Sequence, residues 1–312
     1  DYSGTNPAPD KTMMNQGQIW YNTTGNALKY TGVAAGAWAS ATALNTARYM
    51  LSSSQLGTQT AAVVVGGQPA AATEEYNGTT WTEIVDPSAP RAKASGIGTS
   101  TALLYAGGDA VSPPPAAVDT VELWNGTAWS EVNDLNDTRY SMGQFGTSTD
   151  AVIAGGQSPG ATAVCETWDG TCWSEVNNLN APAFENAGAG TTGPAGIMFG
   201  GRTTVANTET WDGTCWTEIN NLTSGRCDLA GSGSQTAALA YGGAPPPHIS
   251  KTELWDGTSW TAQATLGTGR YAMQGIGPST AALLCGGRQT PGALANVEEW
   301  TTALTIKTVT VS

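Results

Sequence analysis

The chain has one histidine, His248, among 312 residues. A metal centre built on imidazoles needs several, so one is not expected here, nor is a resident cofactor. No Ser/His/Asp or Cys/His nucleophile system is supported either, because His248 lies in a Pro-rich loop. Charge is scarce at 12%, and basic residues number 12 against 25 acids, for a net charge of −13. Such a surface repels phosphate backbones, so nucleic acid is not an expected partner. No apolar run approaches the length of a membrane-spanning helix, and Asp1 opens no signal-peptide pattern. Five cysteines are an odd number, which excludes a complete disulfide framework.

The abundant residues point the other way. Apolar residues make up 40%, with 12 tryptophans, enough for a large core and unlike a disordered chain. Glycine, at 40 residues, and proline, at 16, argue for turns rather than helices. The glycines are ordered. A doublet recurs at Gly66-Gly67, Gly107-Gly108, Gly155-Gly156, Gly200-Gly201, Gly242-Gly243 and Gly286-Gly287. The spacings of 41, 48, 45, 42 and 44 residues identify an internal repeat. Each doublet ends a short apolar run, the pattern of a buried strand.

An acid and an aromatic follow each doublet: Glu75-Tyr76, Glu122/Trp124, Glu166/Trp168, Glu209/Trp211, Glu253/Trp255 and Glu298/Trp300. Asn-Gly or Asp-Gly comes next in five units, predicting a hairpin with a type I′ turn. A second tryptophan opens the next strand at Trp81, Trp129, Trp173, Trp216 and Trp260. Ten residues later stands an arginine: Arg91, Arg139, Arg226 and Arg270, with Trp38 to Arg48 obeying the same count. Ala183 takes that slot in one unit. Each unit thus reads as four short strands: a near the arginine, b ending at the doublet, c with the acid, d with the second tryptophan.

This pattern resembles the kelch repeat over roughly residues 47–300. The arginine start and the Glu-x-Trp-Asp-Gly-Thr-x-Trp block are also similar to kelch-like virion proteins of marine tailed phages. The resemblance implies an all-β propeller of four-stranded antiparallel blades. Tyr30 and Trp38 form a seventh c–d pattern at the front, and the C-terminus alternates Thr with apolar residues. The expectation is therefore seven blades over 17–312, closed by both chain ends. Residues 308–312 would supply the innermost strand, and 1–16 a docking arm. The alternative is six blades with an N-terminal stalk. A hairpin is expected around residues 23–26.

Gly188-Ala-Gly190-Thr-Thr-Gly193 matches the dinucleotide-binding glycine pattern, but its counterparts in other units mark it as a repeat feature. Packing between blades explains the tryptophans. Arg48, Arg91, Arg139, Arg226 and Arg270 form either an anion-binding ring or ion pairs with the glutamates of strand c. Some kelch-type propellers are copper oxidases with His and Tyr ligands; a single histidine departs from that pattern. The d–a spacing is constant, whereas the doublet-to-acid interval holds 7, 13, 9, 7, 9 and 10 residues. Partner-binding residues are accordingly expected in the long b–c loops: Ser112, Pro113, Pro114, Pro115, and Pro245, Pro246, Pro247, His248. Stiff, individual loops on a regular scaffold suit recognition.

The resemblance implies a non-enzymatic virion or extracellular protein: a tail fibre, receptor-binding or capsid-surface component in multi-copy contact with other virion proteins or a host-surface glycan. The alternative is a carbohydrate-binding or glycan-processing extracellular propeller.

Overall fold

The computed structural model describes residues 19–22, 27–33, 35–69, 72–89, 91–110, 116–202, 206–244, 249–302 and 304–308. Among them there is no helix. The repeats form six antiparallel sheets, each with strands in the order a-b-c-d. The first runs Ser52–Ser53, Ala62–Gly66, Ala72–Tyr76 and Trp81–Ile84. The second runs Ser95–Thr99, Ala102–Ala110, Ala117–Trp124 and Trp129–Glu131. The third runs Gly143–Thr147, Asp150–Ala154, Cys165–Trp168 and Trp173–Val176. The fourth runs Ala187–Thr192, Ala195–Phe199, Thr208–Trp211 and Trp216–Glu218. The fifth runs Ala230–Ser234, Ala237–Tyr241, Thr252–Trp255 and Trp260–Gln263.

The sixth sheet corrects the expected blade count. Its first three strands are Gln274–Ile276, Ala281–Cys285 and Val297–Thr301, and its fourth is Ala37–Ala41 from the front of the chain. Trp38 faces Trp300 across this pair. The N-terminal d strand thus completes the last blade instead of opening a seventh. Closure leaves the ring without a free edge strand between its ends. The expected hairpin forms from Ile19–Asn22 and Ala27–Val33, but Leu304–Thr308 pairs with it to make a separate three-stranded sheet. The innermost strand of the sixth blade is Gln274–Ile276, and of the 308–312 strand expected there only Thr308 is among the described residues, paired with Lys29 of the separate sheet. Residues 1–16 and 309–312 lie outside the described residues.

The doublets are rotationally equivalent, and the backbone explains them. Both glycines of all six have positive φ, about which L side chains clash. A Cβ on Gly66 would stand 2.3 Å from the carbonyl oxygen of Arg91 in the next d–a connection. That close approach lets the second glycine donate to the same oxygen, as in Gly67 N–H to Arg91 at 2.9 Å. The pattern passes around the ring and closes with Gly287 N–H to Arg48 at 2.8 Å.

Aromatic pairs join strands c and d, across the c–d turn in Tyr76/Trp81, Trp124/Trp129, Trp168/Trp173, Trp211/Trp216 and Trp255/Trp260 and between the two chain ends in Trp300/Trp38, with centroids from 4.8 to 5.5 Å apart. They join apolar clusters spanning neighbouring sheets. The turns are not type I′, because only the glycine has positive φ. Instead the Asn or Asp side chain accepts two backbone N–H groups, as Asn77 Oδ1 does from Thr79 and Thr80 at 2.9 Å each. Gly188 follows the repeat reading too: a Cβ there would stand 2.4 Å from Gln144 O on the adjacent innermost strand, and no helix follows.

Candidate functional site: the axial mouth

The d–a and b–c connections share one face of the propeller. Each arginine stands on a d–a connection and reaches into the blade that follows. Arg48 Nη2 meets Glu74 at 2.7 Å, and Arg91 Nη2 meets Glu122 at 3.0 Å. Arg139 pairs with Glu166, Arg226 with Glu253 and Arg270 with Glu298. The first acid of the repeat is thus Glu74, in register with the others, and not Glu75. All five arginines are 0–1% exposed, so solvent does not reach their guanidinium groups. Nη groups also donate to carbonyls, as Arg139 Nη1 does to Gly155 at 2.9 Å and Val164 at 2.8 Å, whereas the buried Nε of each arginine has no partner. The pairs staple five of the six incoming connections to their blades. Burial pushes the Glu253 carboxyl up, but Arg226 and Thr223 outweigh that and hold it below its ordinary range.

Two residues beyond each arginine slot stand Met50, Lys93, Ser141, Glu185, Asp228 and Ala272. All six have left-handed φ between 52° and 57°. Their amides form a closed circle. Met50 N–H donates to Ala272 O at 2.8 Å, and Lys93 N–H to Met50 O at 2.8 Å. Ser141 donates to Lys93, Glu185 to Ser141, Asp228 to Glu185 and Ala272 to Asp228, each at 2.9 Å. Six non-glycine residues in a conformation costing about 1–2 kcal/mol each persist only where the surroundings impose it. Here the circle of hydrogen bonds imposes it. Sequence reasoning missed these residues, because nothing in their chemistry marks a left-handed position.

The next position is apolar in five connections: Leu51, Ala94, Met142, Leu229 and Met273. These residues and the hydrogen-bonded circle line a cavity of about 60 Å³ on the axis. The fourth connection breaks the pattern. It reads Ala183-Phe184-Glu185-Asn186, without the arginine and with a buried asparagine in the apolar slot. Arg202, from the b–c loop of that blade, donates to Glu185 at 2.8 Å and stands 3.9 Å from Asp228. Burial, then Glu185, pushes the Asp228 carboxyl up to about 7. Burial also pushes the Cys227 thiol up to about 12.

Cations and aromatic rings surround this mouth. Arg288 stands 4.9 Å above the Tyr49 ring, Lys93 4.7 Å above Tyr140 and Arg202 5.7 Å above Phe184. Tyr49 also donates to Gln68 Oε1 at 3.1 Å. Ser112, Pro113, Pro114 and Pro115, and Pro245, Pro246, Pro247 and His248, lie outside the described residues. Their flanks are on this face. Strands b and c of the second blade are still paired at Asp109 and Ala117, and Ala244 N–H donates to Cys227 O at 2.8 Å. All five cysteines are free, and Cys172 and Cys215 are exposed at equivalent turns.

No protein-family model matches the sequence, and no curated protein matches it. Among solved structures, that of YjhT is similar over 86% of this chain and 99% of its own, with a TM-score of 0.70 at 13% identity. At that identity the likeness is one of fold. The chain is a six-bladed β-propeller.

Proposed function

We propose that the propeller binds and builds rather than catalyses, as a kelch-type structural or adhesion component of a tailed-phage virion. It presents its d–a/b–c face to other virion proteins or to a host-surface glycan. The observation that carries this reading is the axial mouth. Six connections share one backbone geometry and carry six different side chains, as a recognition surface on a fixed frame requires. The flanks of the two Pro-rich b–c loops, at Asp109, Ala117 and Ala244, extend that surface. Multiple copies on one particle would multiply weak contacts into firm attachment.

The half-buried Tyr49, Tyr140 and Tyr271 near the mouth favour a glycan as the second kind of partner, since sugars stack on such rings. Mass spectrometry of purified particles, followed by imaging of their surface, tests the main reading. The expected result is a multi-copy component whose contacts include residues 109–121 and 244–252. Absence from particles, or turnover of glycans by the purified chain, overturns it.

A further inference from the structure

We propose that Glu185, Cys227 and Asp228 form a site at the axial mouth for a borderline-soft divalent metal ion of the zinc class. Their ligand atoms lie within 4.8 Å of one another, and the residues come from two adjacent connections fixed by the amide circle. A thiol and two carboxylates need no imidazole, so the scarcity of histidine does not bear on this set.

Two further observations point to an occupant. Asn186 is 8% exposed, lines the same cavity, and its Oδ1 has no hydrogen-bond partner. The equivalent positions are all apolar, so a buried unpaired carbonyl there calls for a cation or a donor. The acids already hold a cation: the guanidinium of Arg202, whose side chain is 55% exposed and free to turn toward solvent. Around the mouth three acids, Glu185, Asp228 and Asp109, stand against two cations, Arg202 and Lys93.

Binding balances simply. The hydrated ion sheds water, the Cys227 thiol and the Asp228 carboxyl, where protonated, release their protons to solvent, and a sulfur–metal bond forms. The hydrogen bond from Arg202 Nε to Glu185 Oε2 breaks, and Glu185 and Asp228 each give an oxygen. A water completes a tetrahedron. Arg202 is thus a competitor for the site, which gives the test its sign.

The test is equilibrium dialysis of the full chain against Zn²⁺ with elemental analysis, and Cd²⁺ titration read by thiolate-to-metal ultraviolet absorption. The wild type should take up one equivalent with the thiolate band. Cys227→Ser and Asp228→Asn should each weaken binding by roughly a hundredfold or more, beyond the effect of losing an outer-shell partner. Arg202→Ala, an exposed change that leaves the fold intact, should tighten it by roughly fivefold, the size of a partly exposed ion pair. Weaker binding in Arg202→Ala, no stoichiometric uptake by the wild type, or uptake unaffected by Cys227→Ser would each overturn the assignment.

Discussion

Arg139→Leu isolates the device that fastens five of the six connections to their blades. Arg139 and Glu166 are 1% and 0% exposed. The substitution removes the guanidinium from Glu166 and from the carbonyls of Gly155 and Val164. Breaking a buried pair from one side costs about 3–5 kcal/mol, because the remaining charge stays desolvated. The lower half of that range is expected here. Glu166 keeps Asn136 N–H at 2.9 Å and Asn136 Nδ2 at 2.7 Å. Glu209 already lives with only such donors, Asn180 N–H at 3.0 Å and Nδ2 at 2.7 Å, since Ala183 occupies the arginine slot. At roughly 2–4 °C per kcal/mol, the melting temperature should fall by roughly 6–16 °C. Adding Glu166→Leu should restore most of the loss, because two well-packed apolar chains replace a buried pair at little cost. Calorimetry of wild type, single and double variants reads this directly. A single variant within about 0.5 kcal/mol of wild type, or a double variant worse than the single, would refute the reasoning.

Gly66→Ala should destabilise by about 2 kcal/mol or more, since φ is 68° and the new Cβ would stand 2.3 Å from Arg91 O. Chemical denaturation measures it. Ala272→Gly should do the opposite by up to about 1 kcal/mol, relieving a left-handed alanine while keeping the amide circle. Asp228 predicts a pH dependence. Its folded carboxyl is raised to about 7, whereas the unfolded group titrates near about 4. Its contribution is therefore full below about pH 4 and is lost as pH rises through about 7. Asp228→Asn should melt higher than wild type at pH 8 and converge with it at pH 4; parallel curves would contradict the assignment.

The local parts of the fold were legible in the sequence, and the long-range parts were not. Doublets, tryptophan pairs and hairpins each lie within about ten residues of chain, so their chemistry marks them. Closure depends on Trp38 meeting Trp300 from opposite ends. Counting could have found it: six c aromatics, Tyr76 to Trp300, match six d tryptophans, Trp38 to Trp260. Tyr30 mimics a seventh c aromatic while belonging to the terminal sheet, and that misled the count. The amide circle left no trace because it is a backbone property worn by Met, Lys, Ser, Glu, Asp and Ala alike. Its outlier was visible: Ala183 in an arginine slot signalled that the fourth connection differs, and Glu185 and Asn186 follow within three residues.

Ring closure by the N-terminal strand underlies every face and loop described. A pair of truncations tests it most directly. Removing residues 1–34 leaves the Ala37–Ala41 strand and should give a cooperatively folded chain melting close to full length. Removing residues 1–41 strips the outer strand of the sixth blade and exposes Trp300, which is 0% exposed in the intact ring. That loss should lower the melting temperature by more than 10 °C or abolish folding, given about 3–5 kcal/mol for a buried tryptophan's lost packing alone. Equal stability of the two truncations would contradict closure.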